Sequence, residues 1–256
     1  MKNDLPPEKI LQWLVTAGAD ETVGNEPVNR FALSAVDKTD EKAAPRLSSF
    51  PAEVRPSPAQ PSASAPLARQ ASTLEELKEA IFHFEECPLK ATATQMVFGS
   101  GNPRARLMII GEAPGAEEDR QGLPFVGASG HLLDLMLASI GLTRSEVYIT
   151  NILPWRPPGN RKPSEAEIAL FTPFVRRHIA LVNPEVILLL GGSAVSALMN
   201  TNDGITKTRG RWLKYTDAEI TIPVMSSFHP AFLLRTPAQK KLAWRDLLAV
   251  KERLKS

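Results

Sequence analysis

The stretch RLMIIGEAPG, residues 106–115, joins a continuous apolar run to a loop that contains two glycines and a proline. An apolar run without polar alternation is typical of a β-strand that is buried on both faces of a parallel sheet. Three later stretches share this pattern, namely VYITNI (147–152), EVILLLGG (185–192) and TIPVMSSFHP (221–230). Helical patterns lie between them, as in 129–141 and 164–182. This alternation predicts an α/β fold around a central, mainly four-stranded parallel sheet.

Composition sets the limits on function. The 256 residues carry 30 basic and 28 acidic side chains, so any nucleic-acid contact must come from local basic patches rather than from net charge. The single cysteine, Cys87, excludes an internal disulfide. No apolar run approaches the roughly 18 residues of a membrane span, and the start MKNDLPPEKI has no apolar signal core. We expect a cytoplasmic monomer without membrane contact.

The chain divides into three parts by composition. Residues 1–42 form an N-terminal extension with a short predicted helix, for which we expect a role in binding a protein partner. Residues 43–72 contain six prolines among alanines and serines, which predicts a disordered linker. The α/β pattern occupies residues 73–256.

The ligand of such a sheet binds at the carboxyl ends of its strands. The glycine loop there lacks a phosphate-loop lysine and carries several carboxylates that would repel a phosphate. Asn151 ends the second strand, and its amide offers a donor beside an acceptor, which suits the imide edge of a base; the alternative is a turn or cap. His229 ends the fourth strand before Pro230, where it can meet a ligand or simply serve the structure.

Basic residues cluster in two loops, RPPGNRK (156–162) and KTRGRWLK (207–214). They are either solvated surface or contacts to a phosphate backbone. The segment FLLR (232–235) combines apolar and basic residues and could wedge into a base stack. The candidate DNA contacts are therefore Arg156, Arg161, Lys207, Arg209, Arg211, Leu234 and Arg235.

Three motifs together resemble the family 4 uracil-DNA glycosylases: GEAPGAEEDRQGLPFVGASG (111–130), YITNILPWRPPGNRKP (148–163) and SSFHPAFLLR (226–235). The resemblance extends from about Leu74 to the C-terminus. It implies a three-layer α/β/α sandwich and an enzyme that flips deoxyuridine out of DNA, hydrolyses its N-glycosidic bond and releases uracil. Residues 73–256 are then the catalytic domain and uracil-containing DNA is the partner.

The resemblance also implies roles for individual residues. Phe125 would stack on uracil, Asn151 would bind its O4 and N3 edge, and a neutral His229 would donate to O2. Glu112 would lie beside the sugar and the attacking water, and Glu118 near C5, where it helps to exclude thymine. The implied catalytic residues are His229, Glu112 and Asn151, and the implied pocket comprises Glu112, Ala113, Gly115, Glu118, Phe125, Asn151 and His229.

Ala113 and Gly115 would let the backbone approach the base closely. Ala113 also stands where glycosylases of other families have an aspartate, so the sequence does not identify a water-activating base. This gap leaves open an alternative, a catalytically weak or inactive protein that binds uracil-containing or single-stranded DNA. A nucleotide-handling α/β enzyme is a further alternative, which the carboxylates of the glycine loop disfavour.

The chain departs from the family at its metal site. The family holds an iron–sulfur cluster with four cysteines, and the flanking motifs align those positions with Phe84, Cys87, Trp155 and Phe171. One thiolate cannot hold such a cluster. We therefore expect no cofactor and no metal, and we expect the three aromatic side chains to fill the vacated volume.

Overall fold

The computed structural model describes residues 63–199, 201, 203–217 and 220–255. Within them lies a six-stranded sheet with the strand order β1-β3-β2-β4-β6-β5. The strands are β1 (Ser100–Gly101), β2 (Leu107–Gly111), β3 (Tyr148–Asn151), β4 (Val186–Leu190), β5 (Trp212–Asp217) and β6 (Ile220–Ser227). The predicted N-terminal helix and residues 43–62 of the predicted linker lie outside the described residues.

The four predicted strands form the parallel centre of this sheet. β2 pairs in parallel with β3 and β4, and β4 with β6, while β1 and β5 add antiparallel edges. Every residue of β2, β3 and β4 is buried, as the continuous apolar runs predicted. The register places Gly111 beside Asn151 at the carboxyl ends of β2 and β3.

Helices cover both faces of the sheet. They are α1 (Ser64–Gln70), α2 (Leu74–Phe82), α3 (Ala116–Gln121), α4 (Ala128–Ser139), α5 (Glu165–Val182), α6 (Gly192–Met199), α7 (Ile205–Thr208), α8 (Pro230–Arg235) and α9 (Lys240–Lys255). Short 3₁₀ turns occur at Pro88–Ala91, Arg144–Glu146, Pro158–Asn160 and Pro237–Gln239. Among the described residues, none of the helices is both long and apolar enough to cross a membrane.

The side chains of β2 alternate between two layers of hydrophobic core, one on each face of the sheet. Met108 and Ile110 belong to the core on the face covered by α1, α2, α5 and α6. Leu107 and Ile109 belong to the core on the opposite face, under α4, α8 and α9. Successive side chains of a strand point to opposite faces, so a strand buried at every residue needs a helix layer on each side. The predicted three-layer α/β/α sandwich is confirmed.

The C-terminal part of the predicted linker is helical. Residues 64–70 form α1, which packs on α5 and buries Ser64 and Ala68. Nearby, Arg177 of α5 donates to the carbonyl of Ala71 at 2.7 Å. The folded part of the chain therefore begins before residue 73, because small alanine side chains suffice for a close contact between these two helices.

Candidate active site

A cavity of about 440 Å³ opens at the carboxyl ends of the parallel strands. The loop after β2, the ends of β3 and β6, the 156–162 loop and α8 all contribute to its wall. The residues that line it are Glu112, Ala113, Pro114, Gly115, Glu118, Phe125, Ser129, Asn151, Pro157, Asn160, Arg161, His229, Ala231, Phe232 and Arg235. All seven pocket residues named from the sequence are thus brought together in one cavity.

Asn151 lines this cavity and has an unpaired side-chain acceptor beside Gly111. Asn151 is 5 % exposed, and its Oδ1 atom is buried without a hydrogen-bond partner among the described residues. A buried acceptor without a partner costs about 1–3 kcal/mol and is rare in a folded protein. The space beside it exists because Gly111 has no Cβ: one built there would lie 2.4 Å from Asn151 Oδ1. Asn151 therefore has a buried acceptor that no donor of the described residues occupies.

Phe125 forms one wall of the cavity and is 4 % exposed. Its ring stacks beside that of His229, with centroids 5.4 Å apart and planes 30° from parallel. A Cβ on Gly111 would lie 2.6 Å from Phe125 Cζ. Gly111 therefore allows a close approach of Asn151 and Phe125 to the backbone. The predicted close approach of a base at Ala113 and Gly115 stays a prediction.

Glu118 lines the cavity, but its carboxylate is occupied. Oε2 accepts the N–H of Gly115 at 3.0 Å, and Oε1 accepts those of Val126 and Gly127 at 3.0 and 2.9 Å. A carboxylate satisfied by several backbone donors is a structural anchor. These bonds connect both ends of the 111–127 loop through Glu118. Its expected role beside C5 of a base stays a prediction.

Asp119 performs a similar task on the other side of α3. It is 4 % exposed and accepts the N–H groups of Thr94 and Gln95 at 2.8 and 3.2 Å. Hydrogen bonds to a charged acceptor are stronger than neutral ones, so this contact fixes the loop to the preceding segment. Glu118 and Asp119, two of the carboxylates in the glycine loop, thus stabilise its conformation.

Glu112 differs from both. Its carbonyl accepts the N–H of Leu153 at 3.1 Å, which fixes its backbone, but its carboxylate has no hydrogen bond or ion pair within the described part of the chain. Glu112 also lines the cavity. Of the two carboxylates on the cavity wall, it is the one whose oxygens are available to a ligand or a water.

His229 is the N-cap of α8, and its Nδ1 accepts the N–H of Ala231 at 3.2 Å. An acceptor Nδ1 in a neutral ring leaves the hydrogen on Nε2. Burial, and after it the charge of Arg235, lower the pKa of His229 to about 4, and the charge of Glu118 partly opposes them. The ring is therefore a neutral imidazole that offers an N–H from Nε2 near neutral pH.

Two arginines of the 156–162 loop lie beside acidic partners. Arg161 makes two hydrogen bonds to the carboxylate of Glu167 at 2.9 and 2.6 Å, and half of its side chain remains exposed. This ion pair lowers the pKa of Glu167 to about 2. Arg156 lies 3.9 Å from Asp119 and donates to Asn160 at 2.8 Å, so it braces the 156–162 loop. Arg161 and Arg235 both line the cavity.

Arg209 was predicted to contact DNA, but the structure gives its side chain an internal role, in an ion pair. Its guanidinium donates to Asp246, which is 1 % exposed, and to the carbonyl of Leu242 at 2.9 Å. It also lies 5.5 Å from the centre of the Phe228 ring. The ion pair could not be predicted from the cluster of basic residues, because the acidic partner of Arg209, Asp246, lies 37 positions away in the sequence.

The other proposed DNA contacts lie at the surface. Lys207 is 75 % exposed and faces Asp203 at 3.4 Å. Arg211 is exposed, and Leu234 is 43 % exposed on the six-residue helix α8. These three side chains do not line the cavity. They are free to meet a larger ligand that extends beyond it.

The four positions aligned with cluster cysteines are buried in one core. The rings of Phe84 and Phe171 meet edge-to-face with centroids 5.9 Å apart, and both also contact Phe174. Cys87 and Trp155 are each 3 % exposed. Among the described residues, no group of three or more His, Cys, Asp or Glu side chains could hold a metal. One thiol among aromatic rings does not have the donors that a four-iron cluster needs.

Comparison with known proteins is consistent with this site. A family model described as "Uracil DNA glycosylase superfamily" matches residues 98–248. A type-4 uracil-DNA glycosylase of Sulfurisphaera tokodaii is 39 % identical over 70 % of this chain and 84 % of its own length. Those of Thermotoga maritima and Saccharolobus solfataricus are 36 % and 40 % identical, over 71 % and 67 % of this chain and 95 % and 82 % of their own lengths. The chain belongs to the uracil DNA glycosylase superfamily and, within it, to the type-4 uracil-DNA glycosylases.

Proposed function

We propose that this protein is a DNA-repair glycosylase that flips deoxyuridine into the cavity, hydrolyses its N-glycosidic bond and releases uracil, leaving an abasic site. The observation that carries this proposal is the unpaired, buried Oδ1 of Asn151 in a cavity shared with Phe125 and the neutral His229. The family membership supports the same activity.

Recognition depends on the amide of Asn151. Its Oδ1 accepts the N3–H of uracil and its Nδ2 donates to O4. Cytosine carries an acceptor at N3 and a donor at C4, so both bonds would become repulsive contacts. A site built on such polar pairs rejects the wrong partner strongly, because its own buried groups are then left unpaired. Phe125 stacks on the flipped base and holds its plane.

Bond cleavage depends on His229. When the glycosidic bond breaks, its electron pair remains on uracil and negative charge spreads to O2. The N–H from Nε2 donates to that oxygen as the charge develops. A fixed donor in a water-poor site stabilises such a charge without reorganisation, and one good donor is worth about 3–4 kcal/mol. The hydrogen bond from Ala231 to Nδ1 keeps the ring in the required tautomer.

Water attack is assigned to Glu112. The sugar left behind carries positive charge at C1′, and water adds to that carbon while losing a proton. Glu112 lines the cavity, and its carboxylate is not engaged by other side chains of the described residues. It orients the water and accepts its proton. Glu118 is excluded from this role because its oxygens hold three backbone N–H groups.

DNA contacts surround this pocket. Arg161 and Arg235 at the rim bind the phosphates that flank the flipped nucleotide. Arg156 supports the 156–162 loop, which carries Arg161, through its hydrogen bond to Asn160. Lys207 and Arg211 bind phosphates farther along the strand, and Leu234 enters the space that the flipped base leaves. These contacts fix the position of the enzyme on DNA and carry little sequence information.

The protein works without an iron–sulfur cluster or another cofactor. Packing of Phe84, Trp155 and Phe171 replaces the bonds that a cluster would make between three segments of the chain. Iron analysis and an absorption spectrum of protein purified without oxygen test this. We expect less than about 0.1 iron per chain and no band near 400 nm; stoichiometric iron with such a band would overturn it.

We further propose that the enzyme acts as a monomer in the cytoplasm, and that residues 1–42 bind a protein partner. Sedimentation of the full chain with and without a uracil-containing oligonucleotide tests the first point. A sedimenting species of one chain per DNA is expected, and a two-chain species on DNA contradicts it.

An alkali-cleavage assay tests the activity. A labelled oligonucleotide with one uracil is incubated with the protein and then heated in alkali, which cuts the strand at an abasic site. Strand scission that requires both the protein and the uracil is the expected result. A gel shift without scission would instead support the alternative of a uracil-DNA or single-strand binding protein.

A further inference from the structure

Phe125 adopts a backbone conformation that its side chain disfavours. Its φ is 54°, in the left-handed region that L-residues other than glycine rarely occupy. Such a conformation persists only where the surrounding structure enforces it. Because the ring of this residue forms the wall beside His229, the enforcing contacts also determine the geometry of the cavity.

Arg144 supplies the most specific of these contacts. It begins the 3₁₀ turn that precedes β3, and 29 % of its side chain is exposed. Its Nη1 donates to the carbonyl of Pro124 at 2.9 Å, and its Nη2 donates to the carbonyl of Phe125. One guanidinium therefore holds two successive peptide carbonyls, which fixes the orientation of the peptide planes on both sides of Phe125.

The guanidinium is itself held in place. Its Nε donates to Asp134 of α4 at 3.0 Å. The same helix also leaves room for the carbonyl that Arg144 binds, because a Cβ on Gly130 would lie 1.8 Å from Phe125 O. On the far side, Glu118 accepts the N–H of Val126, so the peptide after Phe125 is fixed from two directions.

We propose that Arg144 is a positioning residue for uracil excision. It holds the peptide of Phe125 so that the ring lies across the cavity, where the flipped base stacks. The proposal rests on the proposed function and extends it to a side chain that is outside the cavity and does not touch the base. Its effect on excision passes through Phe125 alone.

A double-mutant cycle with Phe125 tests this. Excision is measured with enzyme in excess over a uracil-containing oligonucleotide, at a temperature well below the Tm of every variant. Arg144→Met is expected to slow excision by about tenfold to hundredfold, the scale of a misplaced contact in an active site. In the Phe125→Ala background the same change is expected to cost less than about threefold, because the ring to be positioned is gone.

Two further variants keep the test decisive if Arg144→Met folds poorly. Arg144→Lys keeps a donor but not the fork, and is expected to recover part of the lost rate. Asp134→Asn removes only the charge that aims Arg144, and its smaller loss should also vanish with Phe125→Ala. Arg106→Met, which breaks an exposed ion pair with Glu185 at the opposite end of β2, is the matched control and should keep the wild-type rate within about twofold.

The outcomes separate the two proposals. If the wild-type protein releases no uracil, the proposed function fails. If it does, and Arg144→Met excises at the wild-type rate, the positioning role is refuted. Equal losses in the Phe125 and Phe125→Ala backgrounds would also refute it, because Arg144 would then act elsewhere. A lower Tm with an unchanged excision rate would reduce Arg144 to a purely structural residue.

Discussion

His229→Ala removes the N–H donor at the oxygen on which charge develops. Loss of one such donor costs about 2.7–4 kcal/mol of transition-state stabilisation, or about 10²- to 10³-fold in rate. The structure adds a second effect, because Nδ1 of the same ring caps α8 through Ala231. Loss of a cap costs about 1 kcal/mol of folding stability, or about 2–4 °C in Tm for a domain of this size.

Two matched variants separate these effects. His229→Asn keeps a cap acceptor near the position of Nδ1 but has no group at the position of Nε2. We expect it to keep the wild-type Tm and to lose excision as severely as alanine does. His229→Gln places an amide N–H near the position of Nε2 and loses the cap. It should recover part of the rate and melt earlier.

Single-turnover excision and thermal melts of the same preparations provide the comparison. Binding to an uncleavable uracil analogue in DNA should change little in all three variants, because the donor acts mainly on the charge that forms during cleavage. Excision by His229→Ala within about threefold of the wild type would refute the leaving-group mechanism. Parallel loss of rate and Tm across the three would show that the cap, not the donor, explains the effect.

The other predictions concern recognition, pH and the basic residues. Asn151→Asp replaces the O4 donor with an acceptor and should reduce uracil excision at least about a hundredfold in the single-turnover assay; retention of the wild-type rate would contradict the recognition scheme. Burial lowers the pKa of His229 from 6.5 to about 4, so excision should not fall between about pH 8 and pH 5.5 through protonation of this ring. The stability that the neutral ring contributes is complete above pH 6.5 and is lost as the pH falls towards about 4, which acid unfolding of the wild type and His229→Asn can measure by difference. Arg209→Met strands a buried carboxylate and should lower the free energy of unfolding by about 3–5 kcal/mol, whereas Lys207→Ala and Arg211→Ala should keep the Tm and flatten the salt dependence of DNA binding. The reverse pattern, with Arg209→Met changing only the salt dependence, would restore its role as a DNA contact.

The parallel centre of the sheet could be predicted because its strands are long, apolar and buried on both faces. The edge strands could not. β1 has two residues. β5 alternates between exposed residues and buried or partly buried ones, and its first half lies in the basic cluster 207–214, which we interpreted as a surface loop. α1 was missed because its alanine-rich sequence has the composition of the linker before it.

The location of site residues could be predicted where a polar residue ends a parallel strand, as Asn151 and His229 do. Roles that depend on how a loop folds back on itself could not be predicted from the sequence. Glu118 binds N–H groups eight and nine positions away, and no local pattern encodes that return of the chain. The partnership of Arg144 with Phe125 spans 19 positions and leaves no motif, although an arginine beside a turn is a weak signal.

The activity itself is tested most directly by measuring free uracil. The purified full chain is incubated with an excess of oligonucleotide that carries one uracil, and with matched oligonucleotides that carry cytosine or thymine at that position. Released bases are quantified by mass spectrometry. We predict more than one uracil released per protein molecule and no release of cytosine. DNA that is bound without release of uracil, or equal release of uracil and cytosine, would contradict the account.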